Sequence, residues 1–318
     1  MSRTVWITTA AIGLGLAALA WSFTPQSLSV AVEGMPEVMP MTRPQPPADM
    51  RVGVFQTGHM DSKALFAYRG GGFDDRVFGM DVVVVDHPQG VLLFDAGFGR
   101  KVEEHAKTVP WLMRVTSKIT PEVPVIDQLS GASLSPERLR GVVLTHAHWD
   151  HVSGLDDLRG VPVWVTQREL DFIHSGHPAA RLAAQLGELH YEVYDFGGGP
   201  YWGFAKSHDV FGDGSVVLVP AGGHTPGSII AFIHAPDGHS YALIGDLAWQ
   251  HEGIDIPAER PWMSRLLVDD DAAGVRAALL RLHLLQRAMP DLIIVPAHDR
   301  RVTRTLPPAT RADALKKG

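Results

Sequence analysis

One seven-residue stretch, THAHWDH at positions 145–151, constrains this chain more than any other. A short apolar, β-branched run precedes it and predicts a buried strand. His146 and His148 stand two residues apart, so they leave an extended chain on the same side and can bind one ion. Asp150 and His151 follow after the backbone has turned and can reach a second ion. Because imidazole nitrogen and carboxylate oxygen are ligands of zinc, iron and manganese, the stretch predicts a metal site.

The pattern His-x-His-x-Asp-His after a strand resembles the signature of the metallo-β-lactamase-fold hydrolases. Four further motifs stand in the order typical of that superfamily, and with the metal loop they span roughly residues 50–300. The motifs are VLLFDAG at 91–97, AGGHTPGS at 221–228, LIGD at 243–246 and IIVPAHD at 293–299. The resemblance implies an α/β fold, an αβ/βα four-layer sandwich, which the order of predicted strands and helices also favours.

The resemblance also implies a set of seven metal ligands. These are His146, His148 and His224 for the first ion, Asp150, His151 and His298 for the second, and Asp246 as a bridge. Two divalent ions about 3.5–4 Å apart can share a water and lower its pKa, which generates a hydroxide nucleophile without a serine or cysteine. A protonated carboxyl of Asp150 or Asp246 is the candidate catalytic proton donor. We expect two Zn²⁺ ions per chain, although iron, manganese or cobalt suit the same ligands.

Composition excludes several classes of protein. The formal net charge is −7, so nothing favours binding to nucleic acid, which calls for a basic surface. The chain has no cysteine, which excludes disulfides, thiolate ligands and the metallo-β-lactamase subclasses that place a cysteine at the second metal. Hydrophobic residues make up 45% of the chain, as expected for a globular protein.

The chain divides into three predicted parts. Residues 1–23 have a basic start, an uncharged apolar run and a small-residue ending, which is typical of a signal peptide. Because the run approaches the length of a membrane span, an uncleaved N-terminal anchor is the alternative. Residues 24–50 form a proline-rich linker, and residues 51–318 form the metallo-hydrolase domain. We therefore expect a periplasmic or secreted protein, or one attached to the inner membrane.

Several local elements support the sandwich. Apolar runs around a Pro/Gly turn predict a hairpin over residues 81–95. The last and clearest helix has aspartates at its start and apolar residues spaced by three and four. Predicted elements are a first strand at 52–58, a helical insertion above the site at 100–119, a capped helix opening at Ser135, a strand at 161–165 and helices at 167–174, 178–189 and 270–289.

Polar residues outside the ligand set receive three different predictions. Asp95 ends a strand and is the best candidate for orienting the metal loop from outside. His59 is a candidate for the mouth of the substrate pocket. The histidines outside the ligand set are otherwise assigned to the surface or to loops.

The presence of Asp246 favours the lactonase, glyoxalase-II-like and phosphodiesterase branches of the superfamily over the histidine-only β-lactamases. Resemblance is closest to the N-acyl-homoserine lactonases, with one departure. Those enzymes carry a tyrosine three residues after the bridging aspartate, where this chain has Trp249. An indole donates one N–H but transfers no proton. The tyrosine's role is therefore lost, changed or taken by Tyr191, Tyr194 or Tyr201.

The leading hypothesis is a dinuclear zinc hydrolase that opens lactones or cleaves related esters in small molecules. Alternatives are a metallo-β-lactamase acting on β-lactam amides and a glyoxalase-II-like thioesterase. Two more distant ones are a diiron redox module, for which no flavin domain is evident, and a non-catalytic metal-binding scaffold. The sequence leaves open the acyl chain, the ring size and the oligomeric state.

Overall fold

Two mixed β-sheets face each other in the computed structural model, which describes residues 3–29 and 43–309. The first has seven strands in the order β4-β1-β2-β3-β5-β6-β7 and the second has five in the order β12-β11-β10-β9-β8. The strands are β1 Arg51–Lys63, β2 Asp75–His87, β3 Gly90–Phe94, β4 Lys118–Pro121, β5 Leu139–Val143, β6 Val163–Thr166, β7 Tyr191–Tyr194, β8 His208–Asp209, β9 Val216–Pro220, β10 Ile229–His234, β11 Ser240–Leu243 and β12 Leu292–Val295.

The described residues form eleven α-helices, some of which cover the outer faces of the two sheets. They are α1 Arg3–Ser22, α2 Val102–His105, α3 Trp111–Thr116, α4 Val125–Leu129, α5 Trp149–Val152, α6 Gln167–His174, α7 Arg181–Gln185, α8 Glu252–Asp255, α9 Trp262–Val268, α10 Ala272–Ala288 and α11 Arg300–Thr303. Short 3₁₀ turns join many of these elements.

Alternating side chains of the strands build three apolar layers. In β2, Val82 and Val84 pack towards the helices of the first sheet, whereas Val83 and Val85 pack between the sheets. In β10, Ile230 packs towards α10 on the outside of the second sheet. Strands buried on both faces therefore show continuous apolar runs. The layers confirm the predicted four-layer αβ/βα sandwich.

Helix α10 covers the second sheet with one apolar face. Asp271 caps its start by accepting a hydrogen bond from the backbone N–H of Ala273. The residues buried on this face repeat at three and four positions, as the sequence predicted. They are Val275, Ala278, Leu279, Leu282 and Leu285.

Other predicted elements differ from the observed ones at their ends. Strand β1 continues five residues beyond the predicted end, because it pairs with β2 past an irregularity between Gln56 and His59. The predicted helix at 178–189 is a 3₁₀ turn followed by the short helix α7. The predicted cap at Ser135 is wrong, since that hydroxyl bonds the Glu137 side chain and the turn after it is 3₁₀.

The N-terminal helix α1 docks on the domain at its last turn. The backbone N–H of Trp262 donates to Ser22 Oγ at 2.6 Å, and Arg69 Nη2 donates to the carbonyl of Trp21 at 2.8 Å. Among the described residues, none of the helices has the length and apolar character needed to span a bilayer. Of the predicted proline-rich linker, residues 30–42 lie outside the described part. Leu28 on one side of them and Met50 on the other pack against the domain.

The two sheets bring the predicted motifs to one edge. Strands β3 and β5 run parallel, as do β11 and β12. The carboxyl ends of parallel strands meet at the same edge of a sheet, which is where α/β folds bind ligands. Asp95 follows β3 and His146 follows β5, while Asp246 and His298 follow β11 and β12. The edges of the two sheets thus form one site.

Candidate metal centre

The metal loop follows β5 and turns directly into α5. His148 is the residue just before this helix, with extended backbone angles, and α5 carries Asp150 and His151 in its first turns. Helical backbone after an extended residue changes the direction of successive side chains. His146 and His148 therefore point to one side of the loop, whereas Asp150 and His151 point towards the second group of predicted ligands.

The structure brings the seven predicted ligands together in two groups. Within each group, ligand atoms lie within 4.8 Å of one another. The first group is His146, His148, His224 and Asp246, and the second is Asp150, His151 and His298. All seven residues are more than nine-tenths buried, and the most exposed of them is Asp150, with 8% of its surface accessible.

The carboxylate of Asp246 faces both groups. Its Oδ1 lies 2.9 Å from His298 Nε2 and 3.2 Å from His151 Nε2. Its Oδ2 lies 3.5 Å from His224 Nε2 and 3.8 Å from His146 Nε2. A carboxylate that turns one oxygen towards each group can bridge two ions held by these groups.

Unpartnered atoms at the centre show that the residues fit metal ions. A buried polar atom without a hydrogen bond costs about 1–3 kcal/mol, so folded proteins rarely leave several together. Four such atoms lie in this site, and none of them has a hydrogen-bond partner within the part of the chain that the structure describes. They are His146 Nε2, His151 Nε2, His224 Nε2 and Asp246 Oδ1. Imidazole and carboxylate donors of this kind suit two divalent ions, and zinc among them.

Electrostatics prepares the two groups differently. Burial and the neighbouring imidazoles hold the pKa values of His146 and His148 well below the usual range, so both remain neutral and able to bind a metal. Burial also disfavours a charge on His151, but Asp95, Asp246 and Asp150 outweigh it and raise the pKa of His151 well above the usual range. The second group thus attracts a cation, whether a proton or a metal ion.

Asp95 supports the metal loop as the sequence predicted. Its Oδ1 accepts the backbone N–H of Thr145 at 2.7 Å. Its Oδ2 accepts the Thr145 hydroxyl at 2.8 Å and lies 2.8 Å from His151 Nδ1. Because a carboxylate only accepts, His151 carries its proton on Nδ1 and leaves Nε2 for the site.

Glu169 in α6 is a supporting residue that sequence reasoning missed. Its Oε1 accepts the Ala147 N–H at 2.6 Å, and its Oε2 accepts the Thr225 hydroxyl at 2.7 Å and the Gly227 N–H at 3.0 Å. Burial raises the pKa of Glu169 to about 7, although these hydrogen bonds act against it. This one side chain joins the loop of His146 and His148 to the loop of His224.

Two further supports were also missed. Asp269 Oδ1 lies 2.8 Å from His224 Nδ1 and bonds the buried guanidinium of Arg260. The carbonyl of Gly79 in β2 lies 2.8 Å from His298 Nδ1. The predicted helix at 270–289 begins one residue after Asp269, so that prediction assigned Asp269 no role, and the aspartate that caps the helix is Asp271.

Predictions about the pocket mouth and the replacement tyrosine are wrong. His59 bonds Glu122 at 2.8 Å in an ion-pair network with Arg300, and it is not among the residues that line the cavity. The described lining of the cavity also contains none of the three candidate tyrosines. Tyr201 instead bonds His234 at 2.6 Å. Three histidines assigned to the surface or to loops are buried, namely His87, His105 and His234.

A cavity of about 580 Å³ opens onto the metal-ligand groups at Asp150, Asp246 and His298. Part of its wall comes from helix α9 and from the predicted helical insertion at 100–119, which contains α2 and α3. Its described lining is mainly apolar and aromatic, including Phe66, Phe78, Met80, Met113, Trp149, Trp249, Met263 and Leu267. The site therefore takes a substrate with an apolar portion.

Comparison with known proteins establishes the family. A family model of the metallo-beta-lactamase superfamily matches residues 76–298, which is more than half of the chain. The chain belongs to this superfamily. A "Probable metallo-hydrolase" of Mycobacterium tuberculosis is 31% identical over 239 residues, covering 69% of this chain and 74% of the relative. A metallo-hydrolase of Annulohypoxylon moriforme is 24% identical over 199 residues, covering 55% of this chain and 49% of the relative.

Solved structures show the same fold at low identity. A quorum-quenching N-acyl homoserine lactone lactonase has a TM-score of 0.62 and 17% identity, covering 85% of this chain and 98% of its own. A mutant of B. thuringiensis AiiA with N-decanoyl-L-homoserine bound at its active site has a TM-score of 0.63 and 16% identity, covering 84% of this chain and 98% of its own. These likenesses show the fold alone, and it is membership of the superfamily that identifies the chain as a metal-dependent hydrolase.

Replacing Asp95 by asparagine tests how the second group is supported. The amide would place an N–H₂ group where a carboxylate oxygen now faces Thr145 or His151. We expect one of the two ions to bind about 10–100-fold more weakly, as is typical when an orienting partner is lost. Titration against a chromophoric chelator measures this. Asp127→Asn, in an exposed ion pair with Arg100, is the matched control. Unchanged affinity for both ions in Asp95→Asn would contradict the assigned role.

Proposed function

We propose that the protein is a dinuclear zinc hydrolase that opens lactones or cleaves related carboxylic esters. The observation that carries this proposal is the carboxylate of Asp246, with one oxygen towards each ligand group at the base of an apolar cavity. Likeness in fold to lactonases solved with acyl-homoserine products supports the choice of a lactone or ester.

The chemistry divides between the ions and the chain. Bound divalent ions supply Lewis acidity and lower the pKa of water at the site. The chain's own residues orient the reacting groups. Asp246 fixes the spacing of the two ligand groups, and Asp150 lies at the cavity wall 3.3 Å from His298 Nε2. We assign to the Asp150 carboxylate a proton shuttle: it takes the proton of the water that attacks the ester carbonyl and returns it to the alkoxide that leaves when the ester C–O bond breaks.

The cavity wall favours esters with an apolar acyl chain. Burial of each methylene contributes about 0.8 kcal/mol, which corresponds to a roughly fourfold gain in kcat/KM per methylene while space remains. Short polar substrates would leave the aromatic wall exposed to water. Acyl lactones and acyl esters thus fit this cavity better than small polar esters.

Hydrolysis of a substrate panel, paired with removal of metal, tests the proposed function. The panel contains acyl lactones, aryl esters, thioesters, phosphodiesters and β-lactams. We expect the highest kcat/KM on lactones or esters, loss of activity with a chelator and recovery on adding Zn²⁺. Elemental analysis should give two ions per chain. Metal-replete protein that hydrolyses none of the lactones and esters would contradict the proposal.

Introducing a charge into the cavity wall tests the preference for an apolar chain. Met113 lies in α3 and lines the cavity, whereas Val115 in the same helix is 66% exposed and is not among the lining residues. We expect Met113→Glu to lower kcat/KM on a decanoyl ester about tenfold, because a buried carboxylate is costly beside a methylene chain. An acetyl ester should be affected much less. Equal effects of Met113→Glu and Val115→Glu on the decanoyl ester would contradict this binding mode.

We also propose that the protein is exported across the inner membrane, with residues 1–23 as a signal peptide. The basic start and uncharged apolar run of this segment support export. N-terminal sequencing of the protein purified from its native host tests the proposal. A mature protein that begins near Trp21 is the expected result. An intact Met1 in the soluble cytosolic fraction would contradict export.

A further inference from the structure

Trp249 stands at the position where the N-acyl-homoserine lactonases, which this chain resembles, carry a tyrosine. Its indole is hydrogen-bonded within the site. Its Nε1–H donates to Asp246 Oδ2 at 2.8 Å. This is the carboxylate oxygen that faces His224 and His146. Because indole has a single donor, its N–H is engaged by the protein and is not free to bind a substrate carbonyl.

Arg260 holds the other side of the same aspartate. Its Nη1 donates to the backbone carbonyl of Asp246 at 2.6 Å, and its Nη2 donates to Asp269 Oδ1. Its guanidinium carbon lies 4.9 Å from the centroid of the Trp249 ring, within the range of a cation–π contact. Arg260 is only 3% exposed, so water screens these contacts little.

The contacts close into a ring around the first ligand group. From Asp246 the ring passes through the indole of Trp249 to the guanidinium of Arg260, and from there back to the Asp246 backbone. A branch runs from Arg260 through Asp269 to His224 Nδ1, at 2.8 Å. The guanidinium of Arg260 is a rigid planar cation. It holds the Asp246 backbone directly, the Asp246 side chain through the indole of Trp249, and the His224 imidazole through Asp269.

We propose that Trp249 and Arg260 are positioning residues that fix the bridging orientation of Asp246 and couple it to His224. This inference rests on the dinuclear site of the proposed function, but it does not depend on which ester is the substrate. An aspartate held only by its own backbone can rotate its carboxylate plane. The indole N–H pins Oδ2 towards the first group, which leaves Oδ1 directed at His151 and His298.

A role for Trp249 only as cavity wall is the competing explanation. The ring does line the cavity, and it meets Phe78 edge to face at 6.0 Å between centroids. A wall requires the ring but not its N–H. Replacing the indole by a benzene ring therefore separates the two roles, because Trp249→Phe keeps an aromatic wall and removes the donor.

The experiment measures metal binding and kinetics of purified full-length Trp249→Phe protein. Zn²⁺ affinities come from competition with a chromophoric chelator, and the Co²⁺-loaded protein reports ligand geometry by its visible absorption. We expect the weaker of the two ions to bind at least tenfold less tightly, a changed Co²⁺ spectrum, and a lower kcat with KM nearly unchanged. Trp262→Phe is the matched control, because Trp262 is 45% exposed and is not among the residues that line the cavity.

A second pair of variants keeps the inference testable if Trp249→Phe folds poorly. Arg260→Lys retains the charge but loses the planar fork, so we expect weaker binding of the first ion and a shift in the same Co²⁺ bands. Trp249→Gln restores a donor without the ring, and it should recover part of the affinity lost in Trp249→Phe.

Wild-type affinities and Co²⁺ spectra in both Trp249→Phe and Arg260→Lys would overturn the inference. A change in KM alone in Trp249→Phe would do so as well, since that result indicates a wall. The metal readouts need no substrate, so a failure of the proposed esterase or lactonase activity is distinguishable from a failure of this inference.

Discussion

The carboxylate of Asp246, buried between four imidazoles, is the interaction on which the rest of the site depends. Its two oxygens lie within 4 Å of His146, His151, His224 and His298. A buried carboxylate is costly unless charged or hydrogen-bonding partners surround it. Of these four, His146 is held neutral by its lowered pKa, whereas Asp246 and the other nearby carboxylates raise the pKa of His151 well above its usual range, so only part of the imidazole shell offers a charge. Two cations between these groups would satisfy both the carboxylate and the nitrogens.

The fold supports that arrangement by placing the ligands in the loops and the short helix α5 that follow strand ends, and by orienting several of them from behind. Parallel pairing of β3 with β5 and of β11 with β12 fixes the edges from which the ligand loops leave. Three imidazoles then receive a partner on Nδ1 from a separate element: Asp95 for His151, Asp269 for His224 and the Gly79 carbonyl for His298. Such contacts set the tautomer and the ring orientation. Metal binding and folding are therefore expected to be coupled.

The sequence was sufficient where the signal is local. The metal loop, the strand before it and Asp95 are recognisable because ligand spacing, strand period and turn chemistry all lie within a few residues of one another. The three-layer burial follows from the same logic, since Val82 and Val83 face opposite layers as a strand requires. Helix α10 was predictable from its apolar spacing and its capping Asp271.

The sequence was insufficient where tertiary contacts decide. Glu169 reaches the loop of Thr225, 56 positions along the chain, and no local pattern marks it as a support. His59 was expected at the pocket mouth but is held by Glu122 and Arg300 from distant segments. Tyr201 was a candidate for the lost tyrosine, yet the fold directs it to His234. The replacement of that tyrosine by an indole was visible, but its bond to Asp246 was not.

Anomalous diffraction from crystals of the zinc-loaded protein tests most directly whether Asp246 lies between two metal ions. We expect two zinc peaks about 3.5–4 Å apart, as in other two-metal sites, with one oxygen of Asp246 towards each. A single peak, or two peaks that share no carboxylate of Asp246, would contradict it.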